Sequence, residues 1–89
     1  MNSPAKKILV VDDDFFFRRE LEPLLKSQGY NVVAASGGEE GPELLEREKP
    51  DLMILDLNMP GMTGFEVLEK IRRVRPVNKI PIVMVLGDG

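Results

Sequence analysis

Four short apolar runs, separated by polar and turn-forming residues, recur along the chain, and we predict that each is a β-strand. They span 7–11, 30–35, 52–55 and 80–86. The runs at 7–11 and 52–55 are continuous and aliphatic, which is typical of strands buried on both faces. Pro81 lies near the start of the last run, where a strand tolerates proline.

The segments between these strands carry apolar residues at helical spacing. The first helix is predicted to begin after Asp14, whose side chain can cap it, and to end at about Gln28, before Gly29. Pro23 inside this helix is expected to kink it or to remove one backbone hydrogen bond. The predicted inward face of the helix consists of Phe17, Leu21, Leu24, Leu25 and Gln28.

Two more helices are predicted, over 39–49 and 65–74. Pro42 falls in the first turn of the earlier one, where the missing N–H of proline matters little. Thr63 and Glu66 have the spacing of a capping box, which marks the start of the later one. The side chains of these two helices that we expect to face inward are Leu44, Leu45, Val67, Leu68 and Ile71.

Strands and helices alternate along the whole chain, beginning and ending with a strand. Such alternation is typical of α/β proteins, in which right-handed crossovers join the strands of a parallel sheet. We therefore predict a doubly wound parallel sheet with the strand order 2-1-3-4. The 89 residues are enough for one small domain, 1–89, and not for two.

Composition favours a globular chain and makes several kinds of partner improbable. Hydrophobic residues make up 43% of the sequence and charged residues 30%, as in ordinary globular domains. With a net charge of -3 and no basic stripe, we expect this domain to make no nucleic-acid contact. No apolar run approaches the length of a membrane span, and 1–7 lacks the apolar core of a signal peptide, so we expect no membrane association.

Cysteine and histidine are both absent from the sequence. The lack of cysteine fits a reducing compartment, and we expect a cytoplasmic location. The lack of histidine excludes zinc sites of the His/Cys type, a Ser/His or Cys/His catalytic pair, and a role as a phosphohistidine carrier.

Acidic residues follow two of the predicted strands: Asp12 and Asp13 follow the first, and Asp56 follows the third. In the order 2-1-3-4 these strands are neighbours, so we expect the three carboxylates to meet where open α/β sheets bind their ligands. Carboxylates about 5 Å apart repel by roughly 3 kcal/mol per pair at an effective dielectric constant near 20. Such a cluster needs either a cation or raised pKa values to persist. Oxygen ligands alone favour Mg²⁺, which can also take a phosphoryl oxygen as a ligand. Helix capping and turn formation would explain each acid singly, but they explain the three together less well.

VVDD at 10–13 and PDLMILDLNMPGMTGFEVLEKIR at 50–72 resemble the receiver domain of bacterial response regulators, and the likeness extends over essentially the whole chain. It implies the flavodoxin-like receiver fold and a role in two-component phosphorelay signalling, not enzymatic turnover. It also implies that Asp56 accepts a phosphoryl group from a histidine kinase, a phosphotransfer protein or a small phosphodonor such as acetyl phosphate. The residues implied to bind Mg²⁺ are Asp12, partly through water, Asp13, Asp56 and, through its backbone carbonyl, Asn58.

Two features depart from the family pattern. Leu86 stands where the family has a Ser or Thr that contacts the phosphoryl group. The fifth strand, with its phosphate-pairing lysine, and the last two helices have no counterpart in the sequence, so we expect a receiver domain that is truncated after its fourth strand. Truncation would uncover a sheet face and a strand edge, and we expect self-association or incomplete stability as the result.

Two other functions stay open. A pseudo-receiver, which keeps the fold but signals without phosphorylation, is favoured by Leu86 and by the missing lysine, whereas the three acids oppose it. The segment ILVVDDDFF at 8–16 resembles the first motif of haloacid-dehalogenase-like phosphatases, with Asp12 as the nucleophile and Asp14 as the acid/base. Phe stands in place of the Gly-Thr expected after that motif, and no catalytic lysine is evident.

Overall fold

Four parallel strands form one sheet with the order β2-β1-β3-β4, which confirms the predicted topology. The computed structural model describes residues 5–13, 15–37, 39–56, 63–74 and 81–85. The elements are β1 (Lys7–Val11), α1 (Phe15–Ser27), β2 (Asn31–Ala35), α2 (Glu40–Glu48), β3 (Leu52–Asp56), α3 (Gly64–Val74) and β4 (Ile82–Val85).

The ends of three helices show the local chemistry that sets them. α1 is terminated before Gly29, whose φ is 93°, and the N–H groups of Gly29 and Tyr30 donate to the carbonyls of Lys26 and Leu25, the bond pattern of a Schellman motif. α2 is followed by its C-cap Lys49, which takes the left-handed conformation (φ 48°) without being glycine. α3 begins at the predicted capping box: the Thr63 N–H donates to Glu66 Oε1 (3.0 Å) and the Glu66 N–H donates to Thr63 Oγ1 (3.2 Å).

The main core lies between the sheet and the helices α2 and α3. It consists of Leu9, Val11, Ala35, Leu44, Leu45, Met53, Leu55 and Val67. α2 packs against α3 and against β1 and β2, whereas α1 packs against β2. Ile8 and Val10, which alternate with the core residues of β1, are also buried, so β1 is covered on both faces, as predicted.

Two predicted inward residues of α1 are wrong: Leu24 is 59% exposed, and Gln28 is exposed and lies beyond the end of the helix. Leu21 and Leu25 are half-buried. Leu24 and Leu25 lie about 100° apart around a helix, so they stand at opposite borders of its apolar stripe. The side chain at the Leu25 border is the more buried of the two. Pro23 lies inside α1, and the helix continues through it to Ser27.

Several predicted boundaries move by one or two residues. β2 begins at Asn31 and not at Tyr30, α1 ends at Ser27, and β4 covers Ile82–Val85 within the predicted 80–86. Helix and strand ends are set partly by tertiary hydrogen bonds, so shifts of this size are expected. The predicted cap Asp14 and the side chains of Phe17 and Ile71 lie outside the described residues. None of the helices in the described ranges has the length and apolarity needed to cross a bilayer.

Candidate functional site

Strand register brings two of the predicted acids side by side at the carboxyl edge of the sheet. Val11 of β1 is the register partner of Leu55 of β3, and the residues that follow them are Asp12 and Asp56. The Asp12 N–H donates to the carbonyl of Ala35 at 3.1 Å, which ties Asp12 to the end of β2. The two acids are therefore positioned by three adjacent strands.

Asp13 completes a cluster with Asp12 and Asp56. One carboxylate oxygen from each residue can be chosen so that all three lie within 4.8 Å of one another. Asp12 and Asp56 are each only 5% exposed, whereas Asp13 is exposed. The cluster therefore has a buried side toward the sheet and an open side, at Asp13, from which a ligand can approach.

The spacing of these oxygens suits a small divalent cation. Mg²⁺ binds oxygens at about 2.0–2.1 Å in an octahedron, so adjacent ligand oxygens lie about 3 Å apart and opposite ones about 4 Å apart. A separation within 4.8 Å reaches these values with small side-chain rotations. Two nearly buried carboxylates also need positive charge nearby, because burial strengthens their mutual repulsion. The residues present therefore fit a magnesium ion.

A polar contact beside the cluster was not predicted from the sequence. The Ser36 N–H and hydroxyl both donate to Glu40 Oε1, at 2.9 and 2.8 Å. Ser36 directly follows Ala35, whose carbonyl accepts the Asp12 N–H, so this contact fixes the loop next to Asp12. No capping-box spacing indicates this contact, because a capping box places the glutamate three residues after the serine and here it follows after four.

Three residues named from the sequence lie outside the described part of the chain. They are Asp14, Asn58 and Leu86. The carbonyl ligand assigned to Asn58, the missing hydroxyl at Leu86 and the acid/base role considered for Asp14 therefore stay predictions. The structure brings together Asp12, Asp13 and Asp56.

The sequence matches the family model described as the response regulator receiver domain over residues 8–88. Among curated proteins, the chain is 45% identical over 90 residues to the probable transcriptional regulator ycf27 of Cyanophora paradoxa, covering 99% of this chain and 36% of that protein. It is 42% identical over 77 residues to the transcriptional regulatory protein AfsQ1 of Streptomyces coelicolor, covering 86% of this chain and 33% of that protein. The chain thus spans about a third of the length of these relatives.

Solved structures show the same likeness in three dimensions. A response regulator receiver protein from Pseudomonas putida superposes with a TM-score of 0.86 at 34% identity, covering 99% of this chain and 73% of that chain. The chemotaxis protein CheY4 of Vibrio cholerae superposes with a TM-score of 0.84 at 35% identity, covering 90% of this chain and 67% of that chain.

Proposed function

The chain belongs to the response regulator receiver domain family, a signalling family, and from this premise we propose that it accepts a phosphoryl group on Asp56. The observation that carries the proposal is the meeting of Asp12, Asp13 and Asp56 at the carboxyl edge of the sheet. Asp56 is the last residue of the central strand β3. Its backbone is the register partner of Val85 in β4, and the preceding Leu55 is the partner of Val11 in β1, so the backbone position of Asp56 is defined.

The proposed reaction moves a phosphoryl group from a donor to a carboxylate oxygen of Asp56. That oxygen attacks phosphorus, a new O–P bond forms, and the P–N bond to a phosphohistidine breaks. The leaving imidazole nitrogen keeps the electron pair of the broken bond. With acetyl phosphate as the donor, a P–O bond breaks instead and acetate leaves. The product on Asp56 is an acyl phosphate.

Asp12, Asp13 and Asp56 are the side chains that would hold Mg²⁺. A bound magnesium ion would neutralise part of the charge that builds up between an anionic phosphoryl group and an acidic site. Asp12 and Asp56 are nearly buried, so they orient the ligand oxygens, while the exposed Asp13 lies at the entrance. Without a cation, three carboxylates would repel the donor.

The proposed donor is a histidine kinase or a phosphotransfer protein, with the exchange taking place in the cytoplasm. Receiver domains of response regulators interact with such kinases, and this chain has no histidine of its own. Because the curated relatives carry names of transcriptional regulators, we propose gene regulation as the output of the longer protein. We place any DNA contact outside these 89 residues, because the net charge is -3.

The proposal is tested by intact mass spectrometry after incubation with Mg²⁺ and acetyl phosphate. We expect one added phosphoryl group on the wild-type chain and none on Asp56→Asn. Asp51→Asn is the matched control, because Asp51 precedes the same strand at its opposite end, and this variant should be phosphorylated like the wild type. Chelation of Mg²⁺ should abolish the addition. Asp13→Asn should raise the Mg²⁺ concentration that gives half the maximal phosphorylation rate by on the order of tenfold, because it removes one charged ligand.

The same experiment distinguishes the other two functions. A folded chain that gains no phosphoryl group would contradict the proposal and favour the pseudo-receiver, for which Leu86 is the supporting residue. A phosphoryl group that is retained in Asp56→Asn and lost in Asp12→Asn would favour the phosphatase-like chemistry. The family match over 8–88 supports the receiver function over that second alternative.

A further inference from the structure

One peptide group connects Asp12 on one side to α2 on the other. It is the trans peptide that links Ala35, the last residue of β2, to Ser36. Its carbonyl accepts the Asp12 N–H at 3.1 Å, and its N–H donates to Glu40 Oε1 at 2.9 Å. Because a trans peptide group is planar, its C=O and N–H point in opposite directions as one rigid unit. A contact at the N–H therefore fixes the direction of the carbonyl that binds Asp12.

Glu40 binds this peptide group and the side chain next to it. The Ser36 hydroxyl donates to the same oxygen of Glu40 as the peptide N–H does, at 2.8 Å. Hydrogen bonds to a carboxylate are shorter and about twice as strong as those between neutral groups. The next residue, Gly37, has no side chain to hold the loop, and nothing lies within 4 Å of the position that its Cβ would take. Glu40 therefore supplies the contact that holds the loop to α2 at Ser36.

The first turn of α2, which carries Glu40, is itself fixed against the end of β1. A Cβ added at Gly41 would lie 3.4 Å from Val11 Cγ2 and 3.5 Å from Val67 Cγ1, so the backbone of the helix packs directly on Val11. Gly41 and Val11 are both buried. Val11 precedes Asp12 in the chain, and Glu40 precedes Gly41. Glu40 is therefore attached to a backbone that rests on the strand leading to Asp12.

The exact position of Asp12 matters because Asp12 is one of the two nearly buried acids of the proposed magnesium site. It is 5% exposed, whereas Ser36 and Glu40 are exposed. Mg²⁺ requires its ligand oxygens at about 2.0–2.1 Å in a nearly ideal octahedron, so a displaced ligand weakens binding. Groups that orient the ligands of a metal without touching it commonly change its affinity by about tenfold or more when they are removed.

We infer that Glu40 is a positioning residue for the magnesium site and that it acts on Asp12 through the peptide group of Ala35 and Ser36. The inference rests on the proposed function, because it concerns how the same acids hold Mg²⁺. Glu40 orients the peptide group, the peptide carbonyl binds the Asp12 N–H, and the Asp12 backbone sets the position of its carboxylate. Glu40 is not one of the three acids that form the cluster.

Calorimetric titration of the 89-residue chain with MgCl₂ tests the inference. Ser36→Ala removes the hydroxyl but no charge, and we expect the Kd for Mg²⁺ to rise about threefold, since the peptide N–H keeps its bond. Glu40→Ala removes the acceptor of both bonds, and we expect a rise of about tenfold. Ser36→Thr retains a hydroxyl and should bind Mg²⁺ with a Kd within about twofold of that of the wild type.

The double variant shows whether the two side chains act through one contact. If they do, Ser36→Ala adds nothing once Glu40 is gone, because its hydroxyl has already lost its acceptor. The Kd of Ser36→Ala/Glu40→Ala should therefore be about tenfold above that of the wild type, and not the roughly thirtyfold that independent effects would give.

Two control variants separate this contact from general effects. Glu43→Ala removes the same charge from an exposed position in the first turn of α2. Ser27→Ala removes a hydroxyl that donates to the Leu24 carbonyl at 2.6 Å, at the end of α1. Both variants should keep the Kd within about twofold of that of the wild type, because at about 0.15 M salt distant exposed charges are largely screened.

Hydrogen exchange without Mg²⁺ gives a measurement that does not depend on metal binding. The Asp12 amide should exchange severalfold faster in Ser36→Ala and in Glu40→Ala than in the wild type, because local opening exposes it. The Asn31 amide donates to the Lys6 carbonyl at 2.9 Å, at the opposite ends of the same two strands, and its rate should not change. Equal acceleration of both amides would mean a general loss of stability and would overturn the inference.

The remaining outcomes distinguish the inference from the proposed function. If the wild type binds Mg²⁺ and both Ser36→Ala and Glu40→Ala bind it equally well, the positioning role is wrong and the magnesium site stands. If the wild type binds no Mg²⁺, both are wrong. If Glu43→Ala weakens binding as much as Glu40→Ala does, the effect belongs to charge alone and the inference fails. Should Glu40→Ala not fold, Ser36→Ala decides by the same two measurements.

Discussion

At the level of single residues, the three acids of the site differ in their surroundings more than in their chemistry. Asp12 and Asp56 are nearly buried and continue strands that are register neighbours, whereas Asp13 is exposed. The sequence indicated that all three would meet. It could not indicate which would be buried, because the burial of a residue after a strand depends on the loops around it.

A second charged contact lies at the opposite end of the sheet, and it joins β1 to α2. Lys7 Nζ donates to Glu48 Oε1 at 3.1 Å and to the Glu48 carbonyl at 3.2 Å. The hydrogen bond from Lys7, and next its positive charge, lower the pKa of Glu48 below its ordinary value of 4.5. The two residues are 41 positions apart, so no local pattern could predict the pair.

This pair predicts how stability depends on pH in acid. A carboxyl group with a lowered pKa in the folded state stabilises the fold above its unfolded pKa, and that contribution is lost as the pH falls through the folded pKa. As the pH is lowered below 4.5, the free energy of unfolding should therefore decrease less in Glu48→Gln than in the wild type. The effect should be small, because both side chains are partly exposed to solvent, which screens the pair.

Urea unfolding at pH 6 and at pH 3.5 measures this difference. Glu46→Gln removes the same charge from an exposed position of α2. Its free energy of unfolding should change between pH 6 and pH 3.5 as much as that of the wild type. An equal change in the free energy of unfolding between these pH values in the wild type and in Glu48→Gln would show that the contact with Lys7 does not affect stability.

At the level of elements, the capping box of α3 shows how a local signal can position a functional segment. Thr63 and Glu66 satisfy each other's backbone N–H groups, and α3 starts at Gly64. Residues 57–62 connect this cap to Asp56. The cap therefore anchors the far end of the segment that follows the acid.

Thr63→Ala should lower the free energy of unfolding by about 1 kcal/mol, because an N–H of the first turn loses its side-chain acceptor. Thr63→Ser retains a hydroxyl and should lie within a few tenths of a kcal/mol of the wild type. Urea unfolding midpoints measure both variants. An unchanged midpoint in Thr63→Ala would mean that the cap contributes nothing to α3.

At the level of the whole molecule, one leucine lies in the closely packed core and another lies on an exposed side of α1. Leu9 is fully buried in the core between the sheet and the helices α2 and α3. Leu24, on α1, is 59% exposed. A chain of 89 residues is expected to have a free energy of unfolding of only about 4–13 kcal/mol, so the difference between the two sides matters.

The same substitution on the two sides should have very different effects. Leu9→Ala should lower the free energy of unfolding by about 2–5 kcal/mol, because it leaves a cavity in the core. Leu24→Ala should change it by less than about 0.5 kcal/mol, as most surface substitutions do. Thermal or urea unfolding measures both, and similar losses in the two variants would show that Leu24 is covered in solution.

The sequence by itself determined the order of the elements, the capping box of α3, the termination of α1 before Gly29 and the three acids of the site. These features depend on residues close together in the chain, where hydrogen bonding and apolar spacing act locally. Only the tertiary structure decided the register of Val11 with Leu55, the pairing of Lys7 with Glu48 and the exposure of Leu24. These depend on which distant segments pack together, and such long-range pairing leaves no local signal.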